Sequence, residues 1–583
     1  MTAPDRLVEA IHQCCLALYA PEVAHSCSEQ LIQMLESSAL WHQCEPLPPL
    51  SEAHVLLITY ANSIEAPGEM PLVTLRRMLK KHLSSMSHVH LLPFFPYSSD
   101  DGFSVIDFSR VDTDLGDWSH IEALAQSHQL MFDFVLNHIS RESVWFADFV
   151  AHHPPGKDYF IEVPRDTDVS QVVRPRSQRL LTPIYTRRGI EHVWATFSAD
   201  QIDLNYANPD VLLAMMGILM QYLERGASMI RLDAVAFLWK QLGTSCVNLA
   251  QTHAVVRLMR LIADALKPGC LLVSETNVPH QENLSYFGHG DEAHLVYQFA
   301  LPPLLLYTFN RGNADLLTNW AQTLAPPPPG CTFMNFAASH DGIGLRALEG
   351  ILPHYEVSSL IESMQQFGGT VSMRGQPDGT DAPYEINISY FDALMGTRLG
   401  PDQWQVERFI CAQTILLTLQ GLPALYIHSL LATPNDHKGV ARTGRLRSIN
   451  RRRWQWQEIE SLLEQPQSTH SRVCRELQRR VALRKTLPML SPSAGQRILD
   501  LDSRVFVVQR EQAGTRMLGV FNVTAREVRL PLTKVLQHAQ QPALDVLAQQ
   551  HYEAGTELEL QPYQALWLYP AHTEVCWVEA LTP

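Results

Sequence analysis

Along the chain, short apolar or β-branched runs alternate with amphipathic stretches, the pattern of strands each followed by a helix that packs on them. Eight runs predict strands: HVLLITY (54–60), HVHLLPF (88–94), MFDFVLNH (131–138), MIRLDAV (229–235), LLVSETN (271–277), LVYQFAL (295–301), TFMNFAASHD (332–341) and LPALYIH (422–428). Eight strand-helix units predict an α/β fold, a (β/α)8 TIM barrel. Residues 1–48 predict a helical extension, and 49–490 the barrel domain. From about 495 the pattern changes to alternating runs such as RVFVVQR, RMLGVFNV and ALWLYP, which predict an antiparallel β domain over 491–583.

Two spacings are too long for a helix alone. Residues 139–205 hold the proline- and arginine-rich VVRPRSQRLLTP and predict an inserted subdomain; residues 345–410 hold GGTVSMRGQPDGTDAPYEIN, a Gly-, Pro- and Asp-rich loop. The PPPP of 326–329 reads as a stiff connector.

Most of the strands share one feature: apolar residues come first and a polar group stands at or just past the C-terminal end. Asn137, His138, Asp233, Glu275, His340 and Asp341 follow that rule. In a parallel barrel those ends converge on one face, where catalytic groups gather. Arg231 and Asp233 are two apart, so they point to the same side of their strand.

Composition narrows the chemistry. A formal charge of −15 over 583 residues excludes an extended nucleic-acid footprint and favours small-molecule chemistry. The N-terminus, with Asp5, Glu9 and His12 among its apolar positions, reads as a helix and not a signal peptide, and no stretch predicts a membrane span. Ten cysteines lie scattered without CxxC spacing, which predicts reduced thiols in the cytoplasm, with Cys14 and Cys15 as helix-core packing. Nucleotide-binding and serine-hydrolase motifs are missing. GHGDEAH (288–294) predicts a solvated loop rather than a metal site, and the basic run RTGRLRSINRRRW (442–454) a solvated or phosphate-facing loop.

Three acids at three strand ends, Asp233, Glu275 and Asp341, form the central constellation. Two carboxyl groups facing one another across a sugar are what glycosidic chemistry needs. Arg231 beside Asp233 predicts an ionised nucleophile with a lowered pKa; the apolar approach to Glu275 predicts a raised one, suited to a general acid. A non-catalytic sugar-binding barrel is the rival from another class, and retention of all three acids argues against it.

IRLDAV, SETN, ASHDG, DFVLNH and QIDLN together resemble the signature segments of the α-amylase superfamily (glycoside hydrolase family 13), in order and spacing. LLPFFPYSSDDGFSVIDF, LGDW, RLDAVAFLWKQLGTSC, FALPPLLL, HDGIGL and NDHKGV with INR look like its sucrose phosphorylase subfamily over 54 to about 455. The resemblance implies a nucleophile at Asp233, a general acid/base at Glu275 and a transition-state stabiliser at Asp341. It also implies that His138, Arg231 and His340 surround the glucosyl unit, that Asp100 and Arg451 close on its far hydroxyls, and that Phe103 and Phe197 wall the pocket. Arg176 and Tyr384 then fall on two loops that bind phosphate and acceptor.

What is implied is a retaining phosphorylase that moves a glucosyl unit from an α-glucoside to inorganic phosphate, with no cofactor, metal, nucleic acid or membrane and no particular oligomeric state. Pro383, Tyr384 and Glu385 stand where sucrose phosphorylases carry Leu-Tyr-Gln, PDGT (377–380) also differs, and the N-terminal segment is extra. These departures look more like the glucosylglycerate phosphorylases. Glucosylglycerate is therefore the expected substrate, with Arg174, Arg176 and Arg179 available to its anionic acceptor and Glu385 repelling that acceptor unless it points away. Sucrose, glucosylglycerol, and water or a sugar in place of phosphate remain alternatives.

Overall fold

The computed structural model describes residues 3–43, 45–176, 178–375, 380–535 and 542–570. Residues 377–379 of the PDGT segment and the last thirteen residues of the expected C-terminal domain lie outside them. Eight parallel strands close a barrel in which each strand pairs with its neighbours in sequence: β1 (Leu56–Thr59), β2 (His88–Leu91), β3 (Gln129–Val135), β4 (Ala227–Asp233), β5 (Leu271–Ser274), β6 (Leu295–Tyr297), β7 (Thr332–Phe336) and β8 (Leu422–Tyr426), with β8 back against β1. All eight predicted runs hold a barrel strand. Where a run ends in a polar group, its strand stops at or before that group, as β4 does at Asp233 and β5 before Glu275.

Register sets the site. Across β3 and β4, Asp133 lies level with Arg231 and Val135 with Asp233. Across β4 and β5, Val273 lies level with Arg231. The arginine is thus fixed within reach of an acid on the neighbouring strand as well as of Asp233 on its own.

Between β3 and β4, strand His138–Ser140 pairs antiparallel with Gln201–Asp203, and a hairpin of Leu181–Thr186 and Gly189–Trp194 stands beyond them. Between β7 and β8, Thr370–Gly375 and Asp381–Asn387 form a second antiparallel pair, and Ile343–Gly344 adds a third strand beside Asp381–Asn387. The register slips between Ser372 and Met373, so Tyr384 is an extra residue in its strand. Such a bulge re-aims side chains, and here both Tyr384 and Glu385 are buried.

Helices α1 (Ala3–Leu16) and α2 (Pro21–Ser37) pack on the barrel helices α3 (Pro209–Glu224) and α4 (Ala250–Leu266). Ile11, Cys15, Cys27 and Leu31 are buried there, and the Tyr19 hydroxyl donates to the Tyr206 carbonyl at 2.8 Å. Cys14 and Cys15 are core residues, as expected.

After the barrel, β9 (Gly495–Asp502), β10 (Val505–Gln512), β11 (Thr515–Asn522), β12 (Ala543–Asp545), β13 (Gln550–Tyr552) and β14 (Ala565–Pro570) form a six-stranded antiparallel sheet in the order β9-β10-β11-β14-β12-β13. The β10–β11 turn, Ala513-Gly514, takes positive φ at both residues, 50° and 80°, the geometry of tight two-residue hairpins. Among the described residues, no helix is long and apolar enough to cross a membrane.

Candidate active site

Arg231 is the hub of the pocket. Its guanidinium, 3% exposed, pairs with Asp133, lies 2.8 Å from Asp233 and reaches to 3.8 Å from Glu275. On the far side of Asp133, His90 Nε2 donates to that carboxylate at 2.6 Å. Directly after Asp233 the chain turns through Ala234 at φ 49°, a left-handed conformation that costs a non-glycine residue energy. That turn aims the Ala234 amide at Glu275 Oε2, 2.9 Å away.

Burial pushes the Glu275 carboxyl above its ordinary range, as expected, and the charge of Asp341 adds to the rise. Burial also pushes Asp233 up, outweighing Arg231, with Glu275, Asp133 and Asp341 adding like charge. This corrects the expectation of a lowered Asp233 pKa: the arginine beside it is shared with Asp133. Two neighbouring carboxyls both pushed upward resist ionising together. The closer guanidinium contact, 2.8 Å against 3.8 Å, favours leaving the charge on Asp233 and the proton on Glu275.

Aromatic rings and two neutral histidines wall the sugar side. Phe103 stacks on His340 with ring centres 4.7 Å apart, and Phe197 lies 5.3 Å from His138. Burial holds both histidines below their usual pKa, so they face the pocket uncharged. His138 Nε2 donates to the Phe103 carbonyl at 2.8 Å. Below His138, the buried Lys240 Nζ lies 2.7 Å from Asp203 and donates to Asn137 Oδ1 at 2.6 Å, tying the end of β3 to the inserted segment. His340 Nδ1 is buried without a protein partner, which suits a ligand rich in hydroxyls.

The acceptor side is built from loops. Arg447 grips Glu385 with two parallel hydrogen bonds of 2.8 Å, from Nε and Nη2, and its Nη1 lies 2.7 Å from Asp341. Arg176 stands 3.9 Å from Glu385, with its guanidinium 5.7 Å from the Tyr384 ring centre. Glu385 comes this close because residue 342 is glycine; a Cβ there would sit 2.9 Å from the Glu385 side chain. Burial alone would raise the Asp341 and Glu385 carboxyls, but Arg447 holds both below their ordinary range.

Asp100, Phe103, His138, Arg176, Phe197, Arg231, Asp233, Glu275, His340, Asp341 and Tyr384 thus line one pocket. Arg451 stands behind it. Its Nε donates to the His340 carbonyl at 2.7 Å and its Nη1 pairs with Asp101 at 2.6 Å, while Asp100 is 4.0 Å away. A larger hollow of about 600 Å³ opens beyond that Arg451–Asp101 pair, and several of its charged groups are already matched: Arg452 with Glu458 at 2.6 Å and Arg453 with Glu65 at 3.5 Å. The smaller pocket, where the acids and histidines converge, is the candidate active site.

One expectation is narrowed by burial and one fails. Of the solvated or phosphate-facing loop expected for the basic run, the solvated reading falls, since the side chains of Arg447 and Arg451 are only 18% and 5% exposed and ion-paired, and Arg447 lines the pocket. In GHGDEAH, Glu292 and His294 are buried, with Glu292 held by His253 at 2.6 Å and Arg257 at 2.8 Å, while Gly288, His289 and Asp291 face solvent. Among the described residues, no group of three His, Cys, Asp or Glu side chains is placed to hold a metal ion. Gln201, Phe237, Asn277, Phe299 and Arg447 also line the pocket and were not foreseen. Four of them stand in segments that carry the family resemblance: Gln201 opens QIDLN, Phe237 lies in RLDAVAFLWKQLGTSC, Asn277 closes SETN and Phe299 opens FALPPLLL.

A (β/α)8 barrel with a carboxylate nucleophile candidate, a proton-bearing partner and a third acid at its mouth is the architecture of enzymes that break α-glucosidic bonds. The chain belongs to the α-amylase family. Residues 81–325 match the alpha amylase catalytic domain and 497–569 the amylosucrase C-terminal domain. The glucosylglycerate phosphorylase of Escherichia coli (strain K12) is 43% identical over 93% of this chain and 96% of its own. The sucrose phosphorylase of Streptococcus mutans is 29% identical over 70% of this chain and 84% of its own. The crystal structure of sucrose 6F-phosphate phosphorylase from Thermoanaerobacter thermosaccharolyticum superposes with a TM-score of 0.71 at 24% identity, covering 87% of this chain and 98% of that one, and shares the fold.

Proposed function

We propose that this enzyme is a retaining glycoside phosphorylase that transfers the glucosyl unit of 2-O-α-D-glucosylglycerate to inorganic phosphate, releasing D-glycerate and α-D-glucose 1-phosphate. The observation that carries this reading is similarity along nearly the whole chain to a glucosylglycerate phosphorylase, 43% over 93%, against 29% over 70% for a sucrose phosphorylase. The arginines on the acceptor side fit an acceptor and a co-substrate that are both anions.

In the first step Glu275 gives its proton to the glycosidic oxygen as Asp233 attacks the anomeric carbon. The bond to glycerate breaks and a β-glucosyl ester forms on Asp233. In the second step phosphate attacks that carbon while Glu275 takes the phosphate proton, the ester bond breaks, and the α configuration returns. Arg231, held by Asp133, restrains the Asp233 side chain through both steps. Asp341, fixed by Arg447, is placed to stabilise positive charge building on the sugar ring. Arg176 and Arg447 favour phosphate over water in the second step by charge-assisted hydrogen bonds. Cys14, Cys15, Cys27, Cys246, Cys331, Cys411 and Cys474 are free thiols, and we place the enzyme in the cytoplasm, where thiols stay reduced and phosphate is at hand.

The test is release of α-glucose 1-phosphate from glucosylglycerate, sucrose and glucosylglycerol, each with and without phosphate. Preference for glucosylglycerate, dependent on phosphate, is the expected result. Preference for sucrose would overturn the acceptor assignment, and release of free glucose at the same rate without phosphate would overturn phosphorolysis.

A further inference from the structure

A pocket that receives anions carries a carboxylate inside its own cation cluster. The Glu385 side chain is 2% exposed, and both of its oxygens are taken by the Arg447 fork at 2.8 Å. That two-point grip is the geometry with which an arginine binds a carboxylate or phosphate ligand. Arg176, 27% exposed, has Glu385 as its ion-pair neighbour too, at 3.9 Å. Around the acceptor position, then, two guanidinium groups face two carboxylates, Glu385 and Asp341. Asp341 has a place in the chemistry of the sugar, whereas Glu385 is brought in from a loop strand by a bulge and admitted by the missing side chain of Gly342.

We propose that Glu385 is a specificity-determining residue that acts as an internal counter-anion: it occupies the Arg447 fork and so sets how strongly the acceptor subsite holds phosphate and the acceptor carboxylate. This rests on the reading of the site as a phosphorylase with an anionic acceptor. The logic is one of exchange. In each turnover one anion must leave the subsite before another enters, and two unmatched arginines beside a bound dianion would retain it. With Glu385 in place, Arg447 stays committed to Asp341 and Glu385. The incoming anion then binds chiefly through Arg176 and whatever share of the Arg447 fork it can compete for.

Glu385→Gln keeps the shape and removes the charge. The expected result is that the KM for phosphate falls about tenfold, the worth of roughly 1.4 kcal/mol. The KM for D-glycerate, measured in the reverse direction from α-glucose 1-phosphate, falls by a smaller factor because glycerate carries a smaller charge. The KM for glycerol as a neutral acceptor does not fall with them. A purely structural role would instead lower kcat or raise every KM together. An unchanged or raised phosphate KM, or an equal shift for glycerol, overturns the proposal. Should the glutamine variant fail to fold, Glu385→Asp serves: its carboxylate is one methylene too short to fill both arms of the fork, so the phosphate KM falls part of the way, and no fall overturns the idea. The phosphate arm uses whichever α-glucoside the wild-type enzyme cleaves, so failure with glucosylglycerate would count against the proposed substrate and not against the role of Glu385.

Discussion

Two arginines in this pocket each hold two acids, and they do so by different means. Arg231 rises from the middle of β4, 3% exposed, and finds Asp133 level with it on β3 and Asp233 two residues on in its own strand. Arg447 comes from a short 3₁₀ turn, Leu446–Asn450, and grips Glu385, 62 residues earlier in sequence, and Asp341 from the loop after β7. The first arrangement is guaranteed by the barrel's hydrogen-bond register. The second needs three loops to be in place at once. For a phosphorylase the division is apt: the glucosyl unit stays put through both chemical steps, while the acceptor leaves and phosphate takes its place.

The largest effect should come from breaking the strand-built half. Asp233→Asn removes the nucleophile, and turnover is expected to drop about 10⁴-fold or more with phosphate or water alike, with little change in melting temperature. Substantial activity of this variant by glucose 1-phosphate release would sink the nucleophile assignment.

Next comes the footing of that same half. Lys240 and Asp203 are 4% and 0% exposed and sit 2.7 Å apart. Lys240→Met would strand Asp203 without its cation, a loss of about 3–5 kcal/mol in folding stability. Chemical denaturation measures it, and a loss under about 1 kcal/mol would mean that water or Asn137 already satisfies Asp203.

The loop-built half should respond more selectively. Arg447→Gln leaves Glu385 and Asp341 facing the acceptor with one positive charge fewer, so the phosphate KM is expected to rise on the order of a hundredfold, the effect of removing one partner from a buried charge pair. Residual hydrolysis, which needs no anion in the subsite, should suffer less. Equal losses in phosphorolysis and hydrolysis would show that Arg447 serves the sugar half, through Asp341.

The same division explains what the sequence disclosed. Strand-end residues were legible because an apolar run followed by a polar residue has one reading in a parallel barrel. Asp233, Glu275, His138 and His340 all obeyed it, and Asp341 follows directly on His340. Arg447 was hidden in a basic run whose local pattern says only that it is charged; no spacing links it to Glu385. The Asp233 pKa was misjudged for a related reason. Arg231 is visible two residues away, but its second client, Asp133, lies on another strand inside DFVLNH. The buried Glu292 makes the same point, since its partners His253 and Arg257 lie on α4 and the local text GHGDEAH looks merely polar. Local pattern tells which residues a strand presents; it does not tell which distant charges will meet them.

The smallest predicted effect is a pH limb, and it sharpens the contrast between the two halves. Burial raises Glu275 above its ordinary value of 4.5, whereas Arg447 holds Asp341 and Glu385 below theirs. Glu275 must carry its proton to act on the first step. Its kcat/KM for the glucosyl donor, which reports the free enzyme, should therefore fall as pH rises through the elevated Glu275 pKa. The loop-side acids, already ionised well below that point, add no limb there. The linkage has the same sign. A carboxyl that holds its proton more tightly when folded than unfolded binds more protons in the native state, so this group's contribution to stability declines as pH climbs from 4.5 to the raised value. Glu275→Gln, assayed with α-glucosyl fluoride, whose leaving group needs no proton from an acid, should turn over without the alkaline limb. If the limb persists in that variant, the titrating group is not Glu275, and the assignment of the acid to the strand-built half fails with it.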